Sequence, residues 1–320
     1  MIPAYAPIIL FVYNRPTHTA KTLEALKHNE IANKSILHVF ADGPKKDATE
    51  ETLTKISKVR DVVSQINGFA EVHLHFSETN KGCARSVREG ITEVIDKYGS
   101  AIIVEDDIEA TPYFLSYLNQ ALQVYEGQKN IWTIGAYGVD IKLPDRYIDN
   151  HDLYLVHRSC SSGWATWADR WNGIDWEVSD AEAFFLSEKK MKRFDRGGEG
   201  MSRMLNDQLH GRIDAWDIIW DYHIYKHDGY CIRPIKSFCV NIGFDGSGTH
   251  CVPEEPLPSA PLYNPARDTL RLEPHLRPNR EVQRIFYNYW SDTPKLSLST
   301  QLKRGIKKLL RQLGLMKQPQ

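Results

Sequence analysis

Cysteine is scarce and poorly placed for metal or disulfide chemistry. The five residues, Cys83, Cys160, Cys231, Cys239 and Cys251, are odd in number and include no C-x-x-C pair. That argues for a reducing compartment and against a zinc site. Long apolar runs are missing as well. The run over residues 8–12 is too short for a signal peptide, has no basic leader, and ends in Tyr13-Asn14-Arg15-Pro16. No run approaches the roughly 20 residues of a membrane span. A cytoplasmic location is expected. Neither sign of charge is in excess: 40 Lys and Arg oppose 41 Asp and Glu, a formal net charge of −1, so no nucleic-acid partner is expected. Internal repeats and low-complexity tracts are absent. What is left is a globular chain of 320 residues, long enough for one large domain or two small ones.

The most informative stretch is AIIVEDDIE, residues 101–109. Four apolar residues after Gly99-Ser100 read as a strand buried on both faces. Glu105, Asp106 and Asp107 follow without a spacer. Two carboxylates ~4 Å apart repel by several kcal/mol at an effective dielectric of about 20. Three at the mouth of a buried strand call for a cation. Mn²⁺ or Mg²⁺ suits the position, because these ions take carboxylate, water and phosphate oxygens and need few protein ligands. The plain alternative is an acidic, solvated strand end.

Around this stretch, strands alternate with helices. Strands are expected over residues 6–13, 36–41, 71–76 and 131–136. Helices are expected after Thr17 as cap, after an Asp47/Glu50 capping box, after Asn80-Lys81-Gly82, and from Thr111-Pro112. This alternation predicts an α/β fold with a doubly wound, mostly parallel sheet. Ligands of such sheets bind outside the carboxyl ends of the strands. The second half changes character. A strand is expected over 152–157, then an aromatic-rich helix through Trp164, Trp167 and Trp171, whose spacing is i, i+3, i+7. Further helices are expected over 180–194, 200–210 and 216–227, and extended chain over 230–242. The division expected is an α/β half over 1–150, a helical and β half over 151–252, and a Pro-rich wrapping segment over 253–295.

Eight motifs in one order carry a resemblance: FVYNRPTHTAKTLEAL, FADGPKKDATEET, NKGCARSVREGI, AIIVEDDIEATPYF, SSGWATW, AWDIIW, CIRPIKSF and GFDGSGTHC. Over residues 6–252 the chain resembles glycosyltransferases of the GT-A fold, most closely N-acetylglucosaminyltransferase I and its bacterial relatives. The resemblance implies a nucleotide-sugar donor, UDP-linked, a glycan or glycolipid acceptor, and a Mn²⁺ or Mg²⁺ cofactor. It implies that the half over 1–150 binds the nucleotide sugar and that the half over 151–252 faces the acceptor. It places Arg15 at the nucleotide's base or phosphate and Asp42 on the uracil. It makes Asp107 a metal ligand and puts Glu105 and Asp106 on the sugar or ribose, or in the site's hydrogen-bond network. Asp217, beside Trp216, matches the catalytic base of an inverting reaction. His250 matches a second metal ligand or a diphosphate contact in a loop over the donor. Trp164 and Trp216 fall on the acceptor side. Each assignment has a plainer counterpart: a turn arginine for Arg15, an Asx turn for Asp42, a first-turn carboxylate for Asp217, a polar loop residue for His250 and core packing for the tryptophans.

Two features depart from the resemblance. The chain begins at its first strand, where the eukaryotic members carry a membrane anchor, and Ile218-Ile219 follow the base where polar residues are the pattern. The missing anchor, with the resemblance, points to a bacterial surface-polysaccharide or lipopolysaccharide context, and Ile218-Ile219 point away from the resembled enzyme's branched mannose glycan as acceptor. The rival readings are a retaining transferase, a nucleotidyltransferase, which needs a glycine-rich loop that Asn14-Arg15-Pro16 lacks, and a non-catalytic carbohydrate-binding protein. Over 296–320, Leu298, Leu302, Ile306, Leu309 and Leu313 recur at helical spacing among Lys303, Arg304, Lys307, Lys308 and Arg311. Such a basic amphipathic helix suits peripheral contact with an anionic membrane. Deleting residues 296–320 should release the protein from anionic liposomes in a co-sedimentation assay; equal binding by the truncated chain would end the idea.

Overall fold

Short apolar runs between turn signals become the left side of one sheet. The structure is a computed structural model that describes residues 4–246 and 259–292. His250 and the amphipathic helix expected over 296–320 lie outside the described residues. The first elements are β1 (Ile8–Val12), α1 (Pro16–Lys27), β2 (Ile36–Ala41), α2 (Glu50–Ser64), β3 (Glu71–Phe76), α3 (Cys83–Tyr98) and β4 (Ser100–Glu105). All four strands are parallel, in the order β3-β2-β1-β4. They match the expected strands to within two residues at each end. The expected helix caps shift. Pro16 takes the first position of α1, so Arg15 rather than Thr17 precedes it. Thr49, not Asp47, caps α2 by accepting from the Thr52 amide.

The chain continues through β5 (Ile108–Ala110), α4 (Phe114–Tyr125), β6 (Ile131–Gly135), α5 (Asp145–Ile148), β7 (Leu153–Val156), β8 (Trp164–Trp167) and α6 (Ala168–Trp171). Then follow α7 (Ala181–Phe185), α8 (Glu188–Phe194), α9 (Met201–Leu209), α10 (Trp216–Lys226), β9 (Tyr230–Pro234), β10 (Cys239–Asn241) and α11 (Arg280–Asp292). The main sheet has eight strands, β3-β2-β1-β4-β8-β6-β9-β7. β8 runs against both β4 and β6, and β7 runs against β9. The other six strands share one direction, so the sheet is mostly parallel and both halves of the chain build it. One core spans the whole sheet, and a second, made by residues such as Phe184, Phe194, Leu205 and Ile218, lies under the helices α7 to α10. None of the described helices is long and apolar enough to cross a membrane.

Three expectations are corrected. Residues 164–167 form a strand, not the start of a helix. Alternation places Trp164 and Thr166 on one face and Ala165 and Trp167 on the other, and all four are buried between β4 and β6. Seven residues were too few to separate that pattern from a helical one. The helix after Thr111-Pro112 begins only at Phe114, because residues 108–110 form a strand that pairs with β10. The end of the Pro-rich segment is a helix. Asn279 accepts from the Glu281 and Val282 amides, and Val282 and Phe286, four apart, are buried. Phe286 lies beside Tyr154 and under the Arg233 guanidinium. Phe286→Ala should therefore cost about 3 kcal/mol or more of stability, read as a lower urea midpoint at unchanged slope. A loss under about 1 kcal/mol would mean that α11 contributes little to the core.

Candidate active site

In the order β3-β2-β1-β4, the chain winds away from β1 on one side and returns to it on the other. The β1/β4 boundary is thus the topological switch point, where a crevice opens beyond the strand ends. Pairing of Phe11 with Glu105 brings the segments after β1 and β4 side by side. Arg15 therefore meets the acidic turn. One guanidinium nitrogen, Nη2, donates to Asp106 Oδ1 and, at 3.0 Å, to Asp107 Oδ2. The Asp106 and Asp107 residues are 5% and 4% exposed. Buried carboxylates of this kind persist as charges only when paired.

The backbone holds this arrangement from three directions. Thr22 Oγ1 on α1 donates to the Asp106 carbonyl at 2.8 Å, and Thr19 Oγ1 donates to the Arg15 carbonyl at 2.9 Å. From the far side, the Ile242 amide donates to the Asp107 carbonyl at 2.8 Å, continuing the β5/β10 ribbon. Gly243 follows, and a Cβ there would lie 2.2 Å from Asp107 Oδ2, so this close approach requires glycine.

Charge in the crevice is out of balance. Burial pushes Glu105 up to about 8, helped by the Asp107, Asp106 and Asp217 charges and opposed by Arg15. Burial also raises Asp106 against its pairing with Arg15. Arg15 itself is raised, because the two ion pairs outweigh burial. Asp107 Oδ1 is buried with no hydrogen-bond partner, an unusual state for a carboxylate oxygen. These residues fit a hard divalent cation held by one or two carboxylates, with water or phosphate completing its shell. They do not fit an all-protein cage: among the described residues, no group of three His, Cys, Asp or Glu side chains could hold a metal.

Asp42 is engaged elsewhere. Oδ1 accepts from the Gly43 and Lys81 amides, both at 2.8 Å; Oδ2 accepts from Asn80 Nδ2 at 2.9 Å and the Gly82 amide at 3.0 Å. The carboxylate thus fastens the loop before α3 to the end of β2. A Cβ on Gly43 would lie 2.6 Å from the Thr79 backbone, so the two loops are in van der Waals contact. A cavity of about 300 Å³ opens beside them, lined in part by Phe40, Asp42, His75 and Lys81. Arg15, Asp106, Asp107 and Asp217 do not line it.

Asp217 stands in the first turn of α10, half-buried, where the helix dipole favours an anion. Its charge acts on Glu105, so this helix start faces the acidic crevice. Trp164 and Trp216, expected on the acceptor side, lie in the core. Their rings are 6.1 Å apart, and the residues are only 1% and 7% exposed, which leaves little ring surface for a sugar. Ile218 and Ile219 pack into the second core, which is why apolar residues follow the aspartate.

A support beneath α10 had no signal in the sequence. Asp221 Oδ1 accepts from the Ser159 amide at 2.7 Å, and Arg158 acts electrostatically on both Asp221 and Asp217. The Arg158 guanidinium lies 4.1 Å from the Trp290 ring on α11. Burial lifts the Asp221 carboxyl to about 7, against Arg158 and with the help of Asp217. Below about pH 4 this group is protonated in both folded and unfolded chains. Between there and about 7 the folded protein retains a proton that the unfolded chain has released, so this group lowers stability as pH rises. Asp221→Asn keeps an acceptor for Ser159 and removes the titration. Its stability relative to the parent should climb by a few kcal/mol between about pH 4 and 7 in urea titrations. Parallel pH profiles would refute the assignment.

The GNT-I family model matches residues 1–186. Among solved structures, TarS of S. aureus is similar at 16% identity and a TM-score of 0.31, over 46% of this chain and 24% of that one, so the match spans about a quarter of TarS. The mannosyltransferase PcManGT of Pyrobaculum calidifontis, solved with GDP-Man and Mn²⁺, is 12% identical with a TM-score of 0.37, over 71% of each chain. Glucosyl-3-phosphoglycerate synthase of Mycobacterium tuberculosis, solved with Mn²⁺, UDP and glucosyl-3-phosphoglycerate, is 10% identical with a TM-score of 0.29, over 42% of this chain and 44% of that one. At such distances no residue role transfers from these structures. The family match, by contrast, takes in more than half of the 320 residues, from the first strand through the acidic turn and into α7, and on that basis the chain belongs to the GNT-I family of glycosyltransferases.

Proposed function

We propose that this chain transfers a sugar from a UDP-linked donor to a hydroxyl of a glycan or glycolipid, with inversion at the anomeric carbon and with Mn²⁺ or Mg²⁺ held at Asp107. The observation that carries this reading is the convergence at the β1/β4 switch point. Arg15, Asp106 and Asp107 meet there, an oxygen of Asp107 is buried without a partner, and the start of α10 brings Asp217 to the same crevice. When bound, the cation supplies Lewis-acid stabilisation of the departing diphosphate. Asp107 is its protein ligand, and Asp106 stays with the surrounding hydrogen-bond network. Glu105 contacts the sugar or ribose. Asp42 serves the donor side by fixing the loop at residues 80–82. Asp217 accepts the proton of the acceptor hydroxyl as that oxygen attacks the anomeric carbon in line. General-base help of this kind typically contributes about 10²–10⁴-fold to rate.

Two variants test the reading. Asp107→Ala should keep the fold, because it removes one of several crowded carboxylates, yet lose the Mn²⁺-dependent rise in melting temperature with UDP. An undiminished rise would put the metal elsewhere. Asp217→Asn should keep donor and metal affinity while losing turnover on the order of 10²-fold or more, measured in single-turnover transfer at saturating donor. Near-normal turnover would remove the inverting assignment and bring the retaining reaction forward.

A further inference from the structure

Arg15 holds one oxygen of the carboxylate at which the metal is proposed, Asp107 Oδ2, and leaves Oδ1 over. Its Nη2 is shared by Asp106 and Asp107, and among the described residues it is the only cation in salt-bridge contact with either. The guanidinium cannot balance the site, since Asp107 Oδ1 stays without a partner. Nor can it stay once a divalent ion binds. Two cations within a few ångströms on the same buried carboxylates repel strongly at low effective dielectric.

The surroundings indicate what moves and where. The Arg15 backbone is fixed by Pro16 at the first position of α1, by Thr19, whose amide and hydroxyl both donate to the Arg15 carbonyl, and by the contact of Thr22 with the acidic turn. The side chain is less confined, being 16% exposed against 7% and 6% for its two partners. It stands beyond the carboxyl ends of β1 and β4, in the crevice where the donor's diphosphate is proposed to lie. A guanidinium is well matched to that group, because its planar fork of donors pairs with phosphate oxygens.

We propose that Arg15 is a resident counter-cation: it holds Asp106 and Asp107 in the empty protein and transfers to the donor diphosphate when a divalent ion takes Asp107, so that metal and diphosphate bind with positive coupling. This rests on the metal site proposed above. Each ligand relieves a cost that the other would meet alone. Metal without diphosphate has to expel Arg15 with no phosphate there to receive it. Diphosphate without metal has to draw Arg15 away and leave two buried carboxylates unpaired. By linkage, the factor by which UDP tightens Mn²⁺ equals the factor by which Mn²⁺ tightens UDP.

The test is calorimetric titration of Mn²⁺ into nucleotide-free protein. Arg15→Gln should bind Mn²⁺ alone about tenfold or more tightly than the parent, and in chelator it should bind UDP more weakly, so the coupling shrinks. Arg15→Lys, which keeps a cation on the pair, should stay within about threefold of the parent for Mn²⁺ alone. Removing Arg15 exposes the fold to two unpaired buried charges. The charge-balanced double variant Arg15→Gln with Asp106→Asn therefore repeats the measurement, and it too should gain Mn²⁺ affinity. Adding Asp107→Asn to either should abolish the gain, which locates the ion. Unchanged or weaker Mn²⁺ binding in the arginine variants, while the parent binds Mn²⁺ in the presence of UDP, overturns the exchange alone. A parent that binds no Mn²⁺ even with UDP overturns the metal reading and the exchange together.

Discussion

One guanidinium between two buried carboxylates sets the terms for this fold. A chain that ends a four-residue apolar run in Glu-Asp-Asp accumulates negative charge where water is scarce. The cost is tolerable because the neighbouring strand ends three residues before an arginine, and parallel pairing of β1 with β4 brings the two together. The rest of the donor side is arranged around that meeting. α1 begins on the arginine and sends Thr22 back to the acidic turn. The β5/β10 ribbon grips the turn from the other side and lets Gly243 press against Asp107. Asp42 keeps the next loop in place with all of its acceptor capacity.

The acceptor side is built differently. Reversal of β8 joins the β4 edge to β6 and β9, so the second half of the chain extends the same sheet. The tryptophans of β8, α6 and α10 fill the joint: Trp164, Trp171, Trp216 and Trp220 lie at mutual ring distances of 5.3–6.4 Å. They hold the first turn of α10 at the crevice, and the Asp217 carboxylate with it. Aromatic mass serves here to position a carboxylate.

Legibility in the sequence followed the range of the forces involved. The strands β1, β2 and β4 were readable because each is a short apolar run closed by a turn residue, and β3 because it alternates. Arg15, Asp106, Asp107 and Asp217 could be singled out by type and motif. That Arg15 binds both aspartates could not, since 91 and 92 residues separate the partners. β5 and β10 are three residues long, below the length at which alternation has meaning, and exist because they pair with each other. β8 was misread because the spacing of its tryptophans satisfies a helix, while the pairing on both edges decides for a strand. α11 was hidden by the prolines before it, although Val282 and Phe286 carry its period. That Asp221 and Arg158 act together beneath α10 gave no sign, because a buried charge looks like a surface charge until its partner is known.

The contact between Trp290 and Arg158 has a consequence for how the protein comes into being. The acidic turn is complete once β10 has been made, and its charge pair can form early. The ground beneath the Asp217 helix is different, because part of it is supplied by the last described helix, more than 60 residues later in the chain. During synthesis the donor side thus precedes the acceptor side in maturity. A chain released before α11 carries the whole region matched by the family and every polar group of the crevice, yet lacks the wedge behind its proposed base. Order of assembly is written into the fold: the acidic crevice is finished before the support beneath the Asp217 helix.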